Sequence, residues 1–214
     1  MIKLYDYELS GNCFKVRLML SILKIQYESI NIEFYPSEEH KSDDCLKINP
    51  LGQLPVISDN GFILRDAQAI LIYLSSKYDN GKTWYPTNDS GKMGMISQWL
   101  AFADAITGSA SAARLHDTFF YTNFDIEKCR ETAHAQFRIL DEHLFFQEQL
   151  GFDWICDGEM PTIADIACFP YVALSEEGGV SRISYPAIRR WVDRFKRIDG
   201  FMIMPGMFPA GPAN

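Results

Sequence analysis

The chain has 214 residues, with 20 Lys and Arg against 28 Asp and Glu, a formal net charge of −8 with neutral histidines, and 47% hydrophobic residues. That is ordinary globular composition, and at roughly 100–200 residues per domain the length holds one large domain or two small ones. A disulfide-stapled miniprotein is excluded, an acidic chain with no Lys/Arg run has no face for nucleic acid, and no apolar stretch nears the ~20 residues of a membrane crossing.

Ile2 to Tyr7 alternates apolar and polar residues and predicts a first strand. It lacks the basic start and apolar run of a signal peptide, so a cytoplasmic location is expected. Glu8-Leu9-Ser10-Gly11-Asn12 follows as a cluster of turn and cap residues, and dense apolar residues from Cys13 to Leu23 predict a mostly buried helix capped by Ser10 or Asn12. Tyr27 to Ile32 predicts a second strand, parallel to the first through a right-handed crossover.

Phe34 to Asn49 is polar, with a short helix expected around Asp43 to Leu46. From Asn49 to Ile57 the chain turns and then extends. Ser58-Asp59-Asn60-Gly61 predicts a hairpin turn, Phe62 to Leu64 the returning strand, and Asp66 to Tyr78 an apolar-periodic helix. This β-α-β-α-β-β-α unit takes residues 1–80, residues 81–89 read as a linker, and 90–214 as a second domain. Helical patterns at about 90–112, 125–149, 162–175 and 185–198 make that domain all-helical, and Met204 to Asn214 reads as a non-helical tail packed along the surface.

Cys13, Cys45, Cys129, Cys156 and Cys168 have no metal-ligand spacing, and an odd number in a reducing compartment predicts free thiols, with neither disulfide nor metal. A free thiol of pKa about 8.5 is only a few per cent ionised at neutral pH. Ser10 and Asn12, at the unpaired N–H groups of a helix start, either hold an incoming thiolate or simply cap the helix. Lys15 and Arg17, inside that helix, are expected to be solvated or ion-paired, and Tyr5 and Tyr7 to be sheet or core aromatics. Asp66 opens a helix whose free N–H groups favour a carboxylate, while its own side chain can pair with an ammonium. Thr162-Ile-Ala-Asp165 has capping-box spacing, with Met160 placed to staple against Ile166, and reads as structural.

Four motifs carry a resemblance to the cytosolic glutathione transferase family over nearly the whole chain: Ser10-Gly-Asn-Cys-Phe-Lys-Val-Arg17, Asn49-Pro-Leu-Gly-Gln-Leu-Pro-Val56, Leu64-Arg-Asp-Ala-Gln-Ala-Ile-Leu71 and Pro161-Thr-Ile-Ala-Asp-Ile-Ala167. The resemblance implies an α/β thioredoxin-like N-terminal domain (βαβαββα) followed by an all-α C-terminal helical bundle. It also implies a homodimer, and glutathione as co-substrate with no tightly bound cofactor. The active-site loop resembles the bacterial serine or cysteine types, in which Ser10, Asn12 or Cys13 meets the glutathione sulfur, or Cys13 forms a mixed disulfide with it.

The same resemblance implies a cis Leu54–Pro55 bond, with the Leu54 backbone pairing with the tripeptide as an added strand does. It gives Gln53 a ligand carboxylate, Asp66 and Ala67 the γ-glutamyl end, and His40 and Lys41 the glycine carboxylate. Members usually carry Ser where this chain has Ala67, and the missing hydroxyl is worth about 0.5–1.5 kcal/mol. Asp104 is implied to reach the γ-glutamyl amine across the dimer interface, and Arg114 to assist with charge. A second-substrate pocket is expected between the domains, with Phe102, Ala105, Ile106, Ser109, Arg114, His116, Phe119, Phe120 and Tyr121 available to it. Three readings follow: a transferase conjugating glutathione to a small hydrophobic electrophile, a glutathione-dependent thiol-disulfide oxidoreductase, and a non-catalytic binding or scaffold protein.

Overall fold

Alternation along β1 (Ile2–Asp6) turns Ile2, Leu4 and Asp6 inward, in a computed structural model that describes residues 1–207. β1 pairs in parallel with β2 (Tyr27–Asn31) and antiparallel with β3 (Val56–Asp59), which pairs antiparallel with β4 (Phe62–Arg65), giving the order β2-β1-β3-β4. The β3–β4 connection is the two-residue loop Asn60-Gly61, with φ of +50° and +87°. Positive φ at both positions is what a tight hairpin turn matched to strand twist requires, and Asn-Gly supplies it at least cost.

Around this sheet lie α1 (Gly11–Ile22), α2 (Asp43–Ile48) and α3 (Ala67–Tyr78), which complete the β-α-β-α-β-β-α order of a thioredoxin-like domain. Phe14, Leu18, Ile70 and Leu74 of α1 and α3 are buried with Leu4 and Ile57 of the sheet. The regular elements in the rest of the described residues are helical: α4 (Ser90–Ile106), α5 (Ala112–Phe119), α6 (Ile126–Gln149), α7 (Ile163–Ala173) and α8 (Pro186–Phe195). Among the described residues no helix is long and apolar enough to cross a membrane.

The single helix expected over 90–112 is interrupted. Residues 107–111, Thr-Gly-Ser-Ala-Ser, form a wider π turn between α4 and α5. Poor helix formers are concentrated there, and two hydroxyls bond back to the preceding turn: Thr107 Oγ1 to the Ala103 carbonyl at 3.0 Å and Ser109 Oγ to the Ala105 carbonyl at 2.7 Å. Both loosen the regular ladder where the chain passes the cleft described below.

α7 is buried along its whole length and packs against both α1 and α4, so the apolar cores of the sheet half and the helical half are one cluster. The expected capping box starts this helix: Asp165 Oδ2 accepts from the Thr162 N–H at 2.9 Å, and Thr162 Oγ1 from the Ala164 N–H at 3.2 Å. The staple is absent, because Met160 is exposed while Ile166 is buried. Met204 and Met207 are buried in the core cluster. The remainder of the expected surface tail, residues 208–214, lies outside the described residues.

Candidate functional site

The loop after β1 is held in place by charge. Asp6 points inward and would be costly unpaired, but Arg17 of α1 meets it and also donates to the carbonyls of Glu8 at 2.8 Å and Tyr7 at 3.3 Å. From the helical half, Arg114 donates to the Leu9 carbonyl at 2.8 Å. Both guanidinium groups grip backbone on the approach to Ser10. Arg17 is thus ion-paired, as expected.

Ser10 is the N-cap of α1, and its Oγ accepts from the Cys13 N–H at 3.2 Å. Accepting that bond leaves the hydroxyl proton available to the cleft that Ser10 lines. The Asn12 N–H, also in the first turn, donates to the Tyr171 hydroxyl of α7 at 3.2 Å. Asn12 lines the cleft too, and its Oδ1 is shielded from solvent without a hydrogen-bond partner. A helix start with a hydroxyl beside it favours an anion.

The cleft has a volume of about 440 Å³ and runs between the sheet half and the helical half. Gln53, Leu54 and Pro55 form its floor; the Leu54–Pro55 bond is cis, as expected, and Asn49 Nδ2 fixes the turn by donating to the Gln53 carbonyl at 2.7 Å. Asp66 and Ala67 close one end at the start of α3. Asp66 is its N-cap, with φ +75° and Oδ1 accepting from the Ala69 N–H at 2.9 Å. A carboxylate beside free helix N–H groups can receive a ligand carrying both charges of an amino acid. The opposite wall is aromatic: Tyr7 lies 5.6 Å from Phe34 and 6.5 Å from Phe119, ring centre to ring centre.

Several expected site residues lie elsewhere. Cys13 is fully buried, does not line the cleft, and its thiol is pushed up to about 12 by burial, with Asp6 adding to the rise. Such a thiol neither ionises near neutral pH nor meets a ligand, so the structure removes Cys13 from the candidates. His40 is buried and stacked on Phe34 with centroids 4.0 Å apart, and burial, helped by Lys41, lowers its pKa. Lys41 is exposed and paired with Glu38 at 2.6 Å. Neither lines the cleft. Asp104, expected to act across a dimer interface, lies outside this chain's own cleft, exposed and accepting from Gln68 Nε2, its pKa raised by partial burial and by Asp66.

Arg114 does line the cleft, but its guanidinium is committed to Glu177 and the Leu9 carbonyl. Of the other residues expected in a second-substrate pocket, only Phe119 lines it; Ile106 and Ser109 are buried and Phe120 is exposed. The helical wall uses Thr107, Gly108 and Ser111 of the π turn instead, together with Tyr171. Lys15 also departs from expectation. It is fully buried, its Nζ has no hydrogen-bond partner, and it stands 5.5 Å from the centre of the Tyr171 ring; burial lowers its pKa to about 8. The one sequence signal for Tyr171 is a phenol within an otherwise apolar buried helix, where a hydroxyl needs a partner.

Known proteins match this chain in both halves. A model of the glutathione S-transferase N-terminal domain matches residues 4–82. Glutathione S-transferase 1 of Manduca sexta is 28% identical over 204 residues, spanning 93% of this chain and 89% of its own length. The crystal structure of a glutathione S-transferase from Xanthobacter autotrophicus superposes with a TM-score of 0.84 at 27% identity, over 96% of this chain and 98% of that one. Ure2p, solved in complex with S-hexylglutathione, superposes with a TM-score of 0.79 at 25% identity, over 93% of this chain and 95% of that one. A sheet half that matches the domain model and an end-to-end likeness in sequence and fold agree: the chain carries a glutathione S-transferase N-terminal domain and is similar to glutathione S-transferases along nearly its whole length.

Proposed function

We propose that the protein is a glutathione transferase that binds glutathione in the 1–80 domain and presents its sulfur, as thiolate, to a small hydrophobic electrophile. The observation that carries this reading is the meeting in one cleft of the Ser10 hydroxyl, the Leu54 backbone and the Asp66 cap. Asp66 takes the γ-glutamyl ammonium, the free N–H groups at Ala67 and the Gln53 amide take carboxylate, and Leu54 pairs with the peptide backbone. Ser10 then donates to the sulfur at the start of α1. The thiol proton leaves to solvent, and the thiolate attacks carbon, forming the C–S bond as a leaving group departs or a double bond takes up a proton. Phe34, Phe119 and Tyr7 supply an apolar wall for the electrophile, in keeping with the S-hexyl ligand held by Ure2p. Glutathione enters as co-substrate, with no tightly bound cofactor.

Burial of Cys13 counts against the oxidoreductase reading through that residue. Ala67, without the hydroxyl usual in the family, is the feature a non-catalytic binding protein would tolerate. The proposal includes the division into 1–80, the linker 81–89 and 90–214, a homodimer, and a cytoplasmic location.

Calorimetric titration with glutathione, followed by turnover with an activated aryl halide, tests it. Saturable binding is expected, with turnover that falls about tenfold or more in Ser10→Ala. Absence of binding at millimolar glutathione refutes the reading. Binding without turnover leaves a ligand-binding protein in its place.

A further inference from the structure

We propose that Tyr171, on α7 of the helical half, is a second catalytic residue of this site, its phenol hydroxyl donating to the glutathione sulfur alongside Ser10. The proposal rests on the glutathione reading above.

Tyr171 lines the same cleft as Ser10 and Asn12, although it comes from the other half of the chain. Its position is fixed closely. The hydroxyl oxygen accepts from the Asn12 N–H at 3.2 Å, and the ring edge is so near α1 that a Cβ at Gly11 would stand 2.6 Å from Tyr171 Cε1. Glycine at position 11 therefore lets the first turn of α1 close onto this phenol.

The proton count leaves the hydroxyl free to act. A phenol oxygen that accepts from a backbone N–H still carries its own proton, and the Asn12 bond does not use it. Ser111, its hydrogen-bonding side-chain neighbour, has a hydroxyl that can give as well as take. Burial pushes the phenol pKa up, so Tyr171 remains a donor wherever the bound thiol titrates.

The surroundings favour negative charge beside that hydroxyl. The Asn12 N–H in the first turn of α1 donates to the phenol oxygen, and the unpartnered Lys15 ammonium stands 5.5 Å from the ring centre. A thiolate held by Ser10 alone would have one hydroxyl donor. With Tyr171 it has two, one from each half of the chain. The thiol proton goes to solvent and the phenol keeps its own; no other bond is made or broken.

Tyr171→Phe keeps the ring against Gly11 and Lys15 and removes only the hydroxyl. Thiolate absorbance of enzyme-bound glutathione, followed across pH, should show the thiol pKa about one unit above wild type. kcat below that pKa should be about tenfold lower, with the glutathione KM within about twofold. The double variant Ser10→Ala/Tyr171→Phe should titrate near the free-thiol value of about 8.5. As a check that does not depend on tolerance of phenylalanine, 3-fluorotyrosine at 171, a more acidic donor, should move the bound thiol pKa down.

A Tyr171→Phe protein whose bound thiol titrates as in wild type overturns the proposal, whatever its stability, and assigns the phenol to packing alone. An unchanged pKa with fluorotyrosine does the same. If wild-type protein binds no glutathione, the transferase reading falls and this proposal with it. If it binds and lowers the thiol pKa while the Phe variant matches it, only the proposal falls.

Discussion

The Asp165 carboxylate, fully buried at the start of α7, accepts a hydrogen bond from Trp191 Nε1 of α8 at 3.0 Å. The same carboxylate takes the Ile155 N–H at 3.0 Å and the Thr162 N–H at 2.9 Å. One side chain thus ties the N-terminus of α7, the 155 loop and α8 together, and none of these partners lines the cleft. Burial favours its neutral form, and these donors work against that rise.

Asp165→Ala leaves three buried N–H groups without an acceptor and removes a helix cap, so a loss of about 3–5 kcal/mol is expected. Asp165→Asn keeps one carbonyl acceptor and should lose less. Urea unfolding at neutral pH measures both. Glutathione affinity of the folded fraction should be unchanged, and a large fall in affinity at full stability would place Asp165 in the site instead.

Lys15 contributes instability at neutral pH. Its ammonium faces Tyr171 and Cys168 of α7, Asp104 of α4 and Asp66 at the start of α3, and none of them accepts from it. Its pKa is about 8 in the folded chain, against about 10.4 unfolded. Between these values the unfolded chain binds more protons, so this residue's contribution to stability rises with pH there. Lys15→Met should be the more stable protein at pH 7 by about 3 kcal/mol, with the difference shrinking toward pH 10.5. A gap that stays constant from pH 7 to 10.5 would show that Lys15 keeps its ordinary pKa in the folded chain.

Cys13→Ala should leave conjugation within about twofold of wild type while costing about 1 kcal/mol of stability through the lost sulfur volume. The native thiol should also resist alkylation at neutral pH, since it is buried and its pKa is raised to about 12. Loss of activity in a well-folded Cys13→Ala protein would bring the disulfide-exchange reading back.

Local chemistry was legible in the sequence where one residue type is needed at one position. Asn60-Gly61 marked the hairpin, Ser10 the cap of α1, and Thr162 with Asp165 the start of α7, because each motif satisfies backbone groups within four residues of itself. Long-range enclosure was not legible. Periodicity treats Lys15 as a solvent-facing position, but α1 is packed against α3 and α7, so its polar positions are enclosed as well. His40 reads as an exposed loop cation until Phe34 covers it. The π turn at 107–111 depends on hydroxyls choosing the preceding carbonyls, and this moved the helical wall of the cleft to Thr107 and Ser111. Tyr171 escaped notice because α7 is apolar on every face, which leaves no period to single out the face toward the cleft.

In the proposed function the start of α1, with Ser10, holds glutathione as thiolate. Thiolate absorbance of the bound tripeptide, titrated across pH in wild type and Ser10→Ala, tests it most directly. A wild-type thiol pKa well below about 8.5 is expected, rising by one unit or more in Ser10→Ala. Bound glutathione that titrates near 8.5 in wild type, or identically in the two proteins, would contradict it.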